Sequence, residues 1–209
     1  MAKVIRETAA ALEYGSNPGV PWPWNVPDGE WTYELYESVP EDGNRYEVIE
    51  GRLTMAPSPG FGHQRSGFQL GLQLGIWAKE NGAGEVLPAP FAVVLPHPPR
   101  RQRFVEPDWI FVAKDRSELI TQKNIQGAPD LLVEILSPGT ARADWVEKKT
   151  AYEKSGVAHY WVVDPDQQVL TAFRLKDGKY ELEARVGPDA IFEPEGFPGL
   201  RINLAEVWG

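Results

Sequence analysis

Asp130-Leu131-Leu132-Val133-Glu134-Ile135-Leu136-Ser137-Pro138 is the stretch on which the fold turns. An apolar run of this length, closed by Ser137-Pro138-Gly139, reads as a strand buried on both faces. Glu134 does not belong in it. An unpaired buried carboxylate costs several kcal/mol, a large part of a domain's net stability, so a metal ion, a cationic partner or a proton must stand beside it. That requirement marks the strand as a candidate element of an active site.

The same anomaly recurs upstream. Phe104 to Ala113 reads as a second apolar strand, and Glu106-Pro107-Asp108 puts Asp108 within it beside a proline that implies an edge position or a bulge aiming the carboxylate. On a period of two, Asp108 shares a face with Ile110 and Val112, and Glu134 with Leu132 and Leu136. Pairing of the two strands would bring the carboxylates together. At that range they repel unless a cation lies between them. Mg²⁺, with Mn²⁺ as a substitute, suits such a pair because it takes hard oxygen ligands and needs only one or two protein carboxylates beside a phosphate. The chemistry this implies is phosphodiester hydrolysis, with a lysine orienting the attacking water and offsetting transition-state charge.

Lys148 is the candidate lysine. It lies in the first turn of a helix read as Trp145 to Ser155, with Asp144 as N-cap, Glu147 at the third helical position and Gly156 as the C-terminal cap. A cation there is mildly disfavoured by the helix dipole, which suggests a role, although a surface ion pair with Asp144 is the competing reading. Lys149 remains open as an alternative.

Around these elements the chain divides into an N-terminal arm, residues 1–31, and one domain, residues 32–209. Residues 15–31 hold four prolines and three tryptophans, a composition that propagates neither helix nor ladder. Trp22, Trp24 and Trp31 are expected to dock on the domain or on a second subunit. A short helix follows over Thr32 to Ser38. Arg45 to Ile49 and Arg52 to Met55 form a hairpin turning at Glu50-Gly51, which puts Glu50 at a strand end. Phe61, Phe68, Leu72 and Ile76 fit one face of a core-packing helix from about Gly62 to Asn81, stopping near Gly82. Strands are expected at Phe91 to Leu95 and His159 to Asp164, with a closing hairpin over Val169 to Leu175 and Tyr180 to Arg185. The order predicts an α/β or α+β domain with a mixed central sheet flanked by helices.

Composition narrows the function classes. At 209 residues, 42% hydrophobic and 11% aromatic, the chain is ordinary globular material for one core. No apolar run approaches the roughly 20 residues of a membrane helix, and the N-terminus lacks a signal-peptide core, so a cytoplasmic protein is expected. With no cysteine, disulfide and thiolate chemistry are excluded; His63, His97 and His159 are too scattered for a histidine metal cluster. A net charge of −9 argues against a surface that coats nucleic acid non-specifically. It leaves room for a local basic strip, and the one compact positive cluster, Arg100-Arg101-Gln102-Arg103, reads as a solvated loop.

The residues also carry a resemblance. Tyr46-Glu47-Val48-Ile49-Glu50-Gly51, Ser58-Pro59 then His63, Glu106-Pro107-Asp108, Pro129-Asp130 through Ser137-Pro138, Asp144 then Lys148 and Tyr152, and Gly156-Val157 then Tyr160 through Pro165 form an ordered series. Over about residues 32 to 207 it resembles the Uma-two family of the PD-(D/E)XK restriction-endonuclease-like superfamily. The resemblance implies a mixed sheet flanked by helices and magnesium-dependent cleavage of nucleic acid, here expected to be DNA. It implies Asp108 and Glu134 as metal ligands, with Glu50 and His63 completing the catalytic set. Leu136 stands where the superfamily has its lysine, so the similarity moves that role to Lys148. A catalytically inactive nuclease-fold binding or assembly module is the alternative, and a glycosidase-like acid/base carboxylate pair a third reading. A homodimer is expected, because hydrolases of duplexes often present two sites.

Overall fold

The computed structural model describes residues 25–39, 44–56, 58–137 and 141–209. A one-turn helix, α1 (Tyr33–Glu37), is capped by the Thr32 side chain and leads into the hairpin β1 (Arg45–Ile49) and β2 (Arg52–Ala56). Glu50 and Gly51 both take positive φ, 51° and 83°, as the expected two-residue turn requires. A side chain at Gly51 would also run into the backbone of Arg100. The long helix α2 (Phe61–Asn81) ends at Gly82 in the left-handed conformation.

After it come β3 (Gly84–Pro88), β4 (Ala92–Val94), β5 (Phe104–Val105), β6 (Trp109–Ala113), β7 (Asn124–Gln126) and β8 (Leu131–Ile135). Helix α3 (Ala141–Ser155) then crosses to β9 (His159–Asp164), which pairs parallel with β8. The hairpin β10 (Val169–Lys176) and β11 (Lys179–Val186), the short pair β12 (Ile191–Phe192) and β13 (Ile202–Asn203), and α4 (Leu204–Trp208) complete the chain.

The fold is α+β with mixed sheets flanked by helices, as the pattern of elements predicts, but the sheet is not single. One sheet runs β2-β1-β5-β4-β7, a second β11-β10-β9-β8-β6-β3, with β12-β13 as a separate pair. The expected strand from Phe104 to Ala113 is broken at Glu106-Pro107-Asp108. Its first part pairs with β1 and β4, and its second with β3 and β8. Proline cannot donate to a ladder, so the chain leaves one sheet there and enters the other, with Asp108 at the crossing. Ile49, Val93, Val105 and Ile125 of the first sheet pack with Ala151 and Tyr152 of α3 against Ile110, Leu132, Tyr160 and Val162 of the second. The opposite face of the second sheet is covered by α2 and α4 through Leu70, Leu74, Trp77, Leu204 and Val207.

Two local expectations are corrected. Helix α3 begins at Ala141, so Asp144 lies inside it rather than at its N-cap; the Asp144 side chain lies outside the described residues. On α2 the apolar face read from the sequence is the solvent face: Phe61 is 80% and Phe68 63% exposed, with Leu72 and Ile76 also exposed. The buried face carries Leu70, Leu74, Trp77 and Ala78 together with Gly67 and Gly71. Glycine contributes nothing to a hydrophobic period, yet here it sets the packing. A Cβ on Gly71 would overlap the Trp109 ring, and one on Gly67 would meet Ile135 Cδ1 at 2.8 Å. Gly71→Ala is therefore expected to cost about 1–3 kcal/mol through overpacking, despite alanine's better helix propensity. Urea denaturation checks this, and an unchanged or raised midpoint would remove the close-packing account.

Trp31 is 2% exposed and packs with Tyr36, Tyr46 and Phe104. Trp22 and Trp24 lie outside the described residues. Among the described residues no helix is long and apolar enough to cross a membrane.

Candidate active site

The two acidic strand residues meet where β6 and β8 pair. Trp109 is opposite Val133 and Ile110 opposite Leu132, so the antiparallel register continued by one step sets Asp108 across from Glu134. Both are buried, Asp108 at 8% and Glu134 at 6% exposure. Asp108 Oδ2 accepts the backbone N–H of Ile135 at 2.8 Å, locking the carboxylate against β8. Its Oδ1 accepts from Arg45 Nη1 at 2.9 Å, and His63 Nε2, from the first turn of α2, lies 3.2 Å from Oδ2. Burial by itself would raise the Asp108 pKa; His63 and then Arg45 outweigh it and hold the group at about 2.

Glu134 has the opposite balance. Burial pushes its carboxyl up to about 7, against the attraction of Lys148 and with added repulsion from Glu47 and Asp108. Lys148 Nζ donates to both Glu134 oxygens at 3.0 Å and reaches Glu47 at 2.8 Å. Burial favours the neutral amine, but Glu134 and Glu47 outweigh it and raise the Lys148 pKa. Tyr152, one helical turn beyond Lys148, donates its hydroxyl to Glu134 Oε1 at 2.6 Å. Burial and then the charge of Glu134 raise the phenol's pKa well above its ordinary value, so it stays a donor.

Four of the residues singled out in the sequence thus come together: Asp108, Glu134, Lys148 and His63. Lys149 turns away, with Nζ 3.8 Å from the Phe173 ring centroid. Glu50 is not joined to the cluster by any hydrogen bond or ion pair among the described residues. Its Oε1 accepts from Arg103 Nε at 2.8 Å and its Oε2 from Arg101 at 3.0 Å. Arg103, 2% exposed, also donates to Pro96 O and Ser155 Oγ. The positive cluster is thus only partly a solvated loop: Arg100 and Arg101 are exposed, while Arg103 is a buried clamp whose counter-ion is Glu50.

Sequence reasoning passed over two members. Glu47, buried at 4% on β1, bonds Lys148 and accepts the Glu106 N–H at 2.9 Å through Oε1. It shows the same signal as Glu134, a carboxylate inside an apolar strand. A hairpin with one wet face accommodates alternating polar residues, however, and only the packing of the second sheet over that face makes Glu47 anomalous. Arg45 opens the same strand and donates Nη2 to Glu106 O at 2.5 Å as well as holding Asp108. Three carboxylates, Glu47, Asp108 and Glu134, therefore share two fixed cations, Arg45 and Lys148, at the junction of the sheets.

The fold has relatives. A solved structure described as a "putative nuclease belonging to DUF820" from Anabaena variabilis superposes with a TM-score of 0.68 at 20% identity, covering 85% of this chain and 97% of that one. At that identity the likeness establishes the fold. No curated protein sequence matches the chain. The family model Uma2, described as "Putative restriction endonuclease", matches residues 33–205, which span every residue of the cluster. The chain belongs to the Uma2 restriction-endonuclease family.

Proposed function

We propose that the protein is a Mg²⁺-dependent nuclease, with Mn²⁺ as a substitute, that hydrolyses phosphodiester bonds of DNA. The observation that supports this best is the convergence of three buried carboxylates, Glu47, Asp108 and Glu134, around the buried ammonium of Lys148. The donor set fits the ion. All three groups are hard oxygen ligands, and the Lys148 contacts mark a position where positive charge is stabilised. No group of three or more His, Cys, Asp or Glu side chains is preassembled around an ion position among the described residues. A cation there would take one or two carboxylates, here Asp108 and Glu134, and complete its shell with water and phosphate. When bound, the ion supplies Lewis-acid polarisation and charge neutralisation at the phosphoryl oxygens.

The remaining work falls to the chain. Lys148 directs a permanent positive charge at the place where negative charge grows on phosphorus. Tyr152 orients Glu134, and Arg45, His63 and the Ile135 N–H orient Asp108, so both carboxylates are preorganised. A homodimer accords with cleavage of a duplex, because two copies related by a two-fold axis offer one site to each strand.

One observation favours the inactive binding-module reading. Every oxygen of Asp108 and Glu134 already has a protein partner. Plasmid and oligonucleotide digestion with Mg²⁺, Mn²⁺ or EDTA separates the two. Cleavage with either metal and none in EDTA is expected. Inactivity on DNA and RNA alike, with no calorimetric Mn²⁺ binding, would leave the module reading.

A further inference from the structure

Behind the cluster lies a second feature that the proposed chemistry does not use. A cleft of about 260 Å³ opens between α1 and the start of β4, walled by Tyr33, Tyr36 and Phe91, with Glu106 at its inner end and Lys123 at its rim. Tyr36 is buried and its hydroxyl donates to Glu106 Oε1 at 2.8 Å. Glu106 Oε2 receives no hydrogen bond from a described residue, so the cleft ends in a carboxylate oxygen with acceptor capacity left. Tyr33 is held edge-on to Phe104 at a centroid distance of 5.7 Å, and Tyr36 packs on the same ring. The aromatic wall is therefore fixed by the core. At the mouth, Lys123 is 72% exposed and bonded only loosely to Glu37 at 3.3 Å.

The cleft is tied to the cluster through one residue. Glu106 gives its N–H to Glu47, and its carbonyl accepts from Arg45, which also holds Asp108. Only Pro107 separates Glu106 from Asp108, at most about 7 Å of chain. On the nuclease reading, a strand whose phosphate lies at Asp108 and Glu134 would offer its next base to the cleft, since Glu106 and Asp108 lie no further apart than successive nucleotides. The half-buried Tyr33 ring can stack on any base, and an unfilled carboxylate acceptor at the end favours bases with an exocyclic amino group over thymine, whose one ring N–H is flanked by two carbonyls that repel a carboxylate. The exposed lysine at the rim suits the phosphate that follows.

We propose that this cleft is a nucleobase site, which takes an amino-bearing base (adenine, cytosine or guanine) from the nucleotide adjoining the cleaved phosphate. The assignment deepens the nuclease reading and rests on it for the strand that supplies the base.

Binding of dAMP, dCMP, dGMP and dTMP to the full chain in EDTA, followed by saturation-transfer NMR and calorimetry, tests it without any cleavage step. The three amino-bearing nucleotides are expected to bind about tenfold more tightly than dTMP. Tyr33→Ala is expected to weaken dAMP about tenfold through lost stacking. Glu106→Gln keeps an acceptor for Tyr36 but replaces the carboxylate, and it is expected to bring the four nucleotides to within about twofold of one another. Circular dichroism and melting confirm that both variants are folded; if Tyr33→Ala is not, Glu106→Gln decides. Equal affinity of all four nucleotides for the unaltered protein, no binding at millimolar concentration, or tetramethylammonium displacing dAMP as from a cation cage would each overturn the proposal. The two readings fail separately. Metal-dependent cleavage with flat nucleotide titrations sinks the base site alone, whereas the expected titrations without cleavage under any metal sink the nuclease reading and leave a nucleotide-binding cleft.

Discussion

Glu134→Gln is expected to lower the proposed metal-dependent DNA cleavage by about 10²–10³-fold while leaving the fold intact, and Asp108→Asn to lower activity as much and stability as well. Both substitutions remove one charge from the group proposed to hold the cation, a loss worth several kcal/mol in the transition state. They differ in what else they break. Glutamine can still accept from Tyr152 and Lys148, so the structural network around position 134 survives. Asparagine cannot satisfy the Ile135 N–H and Arg45 as a carboxylate does, and losing charge-assisted bonds there costs about 1.5–3 kcal/mol. Stability loss on Asp108→Asn is thus expected whether or not the protein is an enzyme, and the activity of folded Glu134→Gln carries the decision. Glu50→Gln serves as the contrast: cleavage within about twofold of the unaltered protein, because Glu50 answers to Arg103 and not to the cluster. Initial rates on plasmid DNA with circular dichroism as a fold control check all three. Full activity in Glu134→Gln would end the metal-ligand assignment.

The second large effect is on stability. Lys148→Met leaves Glu134 and Glu47 buried without their shared counter-ion, and breaking a buried pair from one side costs about 3–5 kcal/mol. The loss depends on pH with a definite sign. Glu134 is already raised to about 7 with the lysine present, and removing Lys148 raises it further. Its folded pKa lies above the unfolded value, so the folded state binds the extra proton and stability is gained as pH falls through the folded pKa. The deficit of Lys148→Met is therefore expected to be smaller at pH 5.5 than at pH 8. Asp108 works in the other direction. Its folded pKa, about 2, lies below the unfolded value, so its contribution is present above the unfolded pKa and is lost as pH falls toward 2. Asp108 does not titrate between pH 5 and 8, and His159, pushed down to about 4 by burial, titrates alike in both proteins and cancels from the deficit. Urea denaturation at the two pH values measures this, and an equal deficit at both, or one below about 1 kcal/mol, would show that Lys148 does not compensate buried carboxylates.

Much of this architecture is legible in local sequence. Glu50-Gly51 and Asp177-Gly178 take the positive φ values that tight hairpins need, and Gly82 takes the left-handed conformation that ends α2. The apolar run around Glu134 becomes β8, and the energetic demand it poses is met by Lys148 and Tyr152. These features depend on the dihedral preferences and polarity of a few consecutive residues, which a chain carries wherever it is.

What the residues alone do not determine is which surfaces meet. The exposed Phe61, Phe68, Leu72 and Ile76 form the more hydrophobic stripe of α2, yet the core takes the face where Gly67 and Gly71 admit Trp109 and Ile135. Glu50 and Glu47, three positions apart on one hairpin, part company because the Arg103 clamp lies against one and the second sheet against the other. Lys148 enters the cluster and Lys149 covers Phe173 because one residue turns a helix by about 100°. By itself the sequence determined the hairpin turns at Glu50-Gly51 and Asp177-Gly178, the C-terminal ends of α2 and α3, the strand around Glu134 and that a buried carboxylate needs a partner. The partner, the third carboxylate and the break between two sheets were decided only by tertiary packing, since burial and charge compensation depend on volumes and distances between segments far apart in the chain.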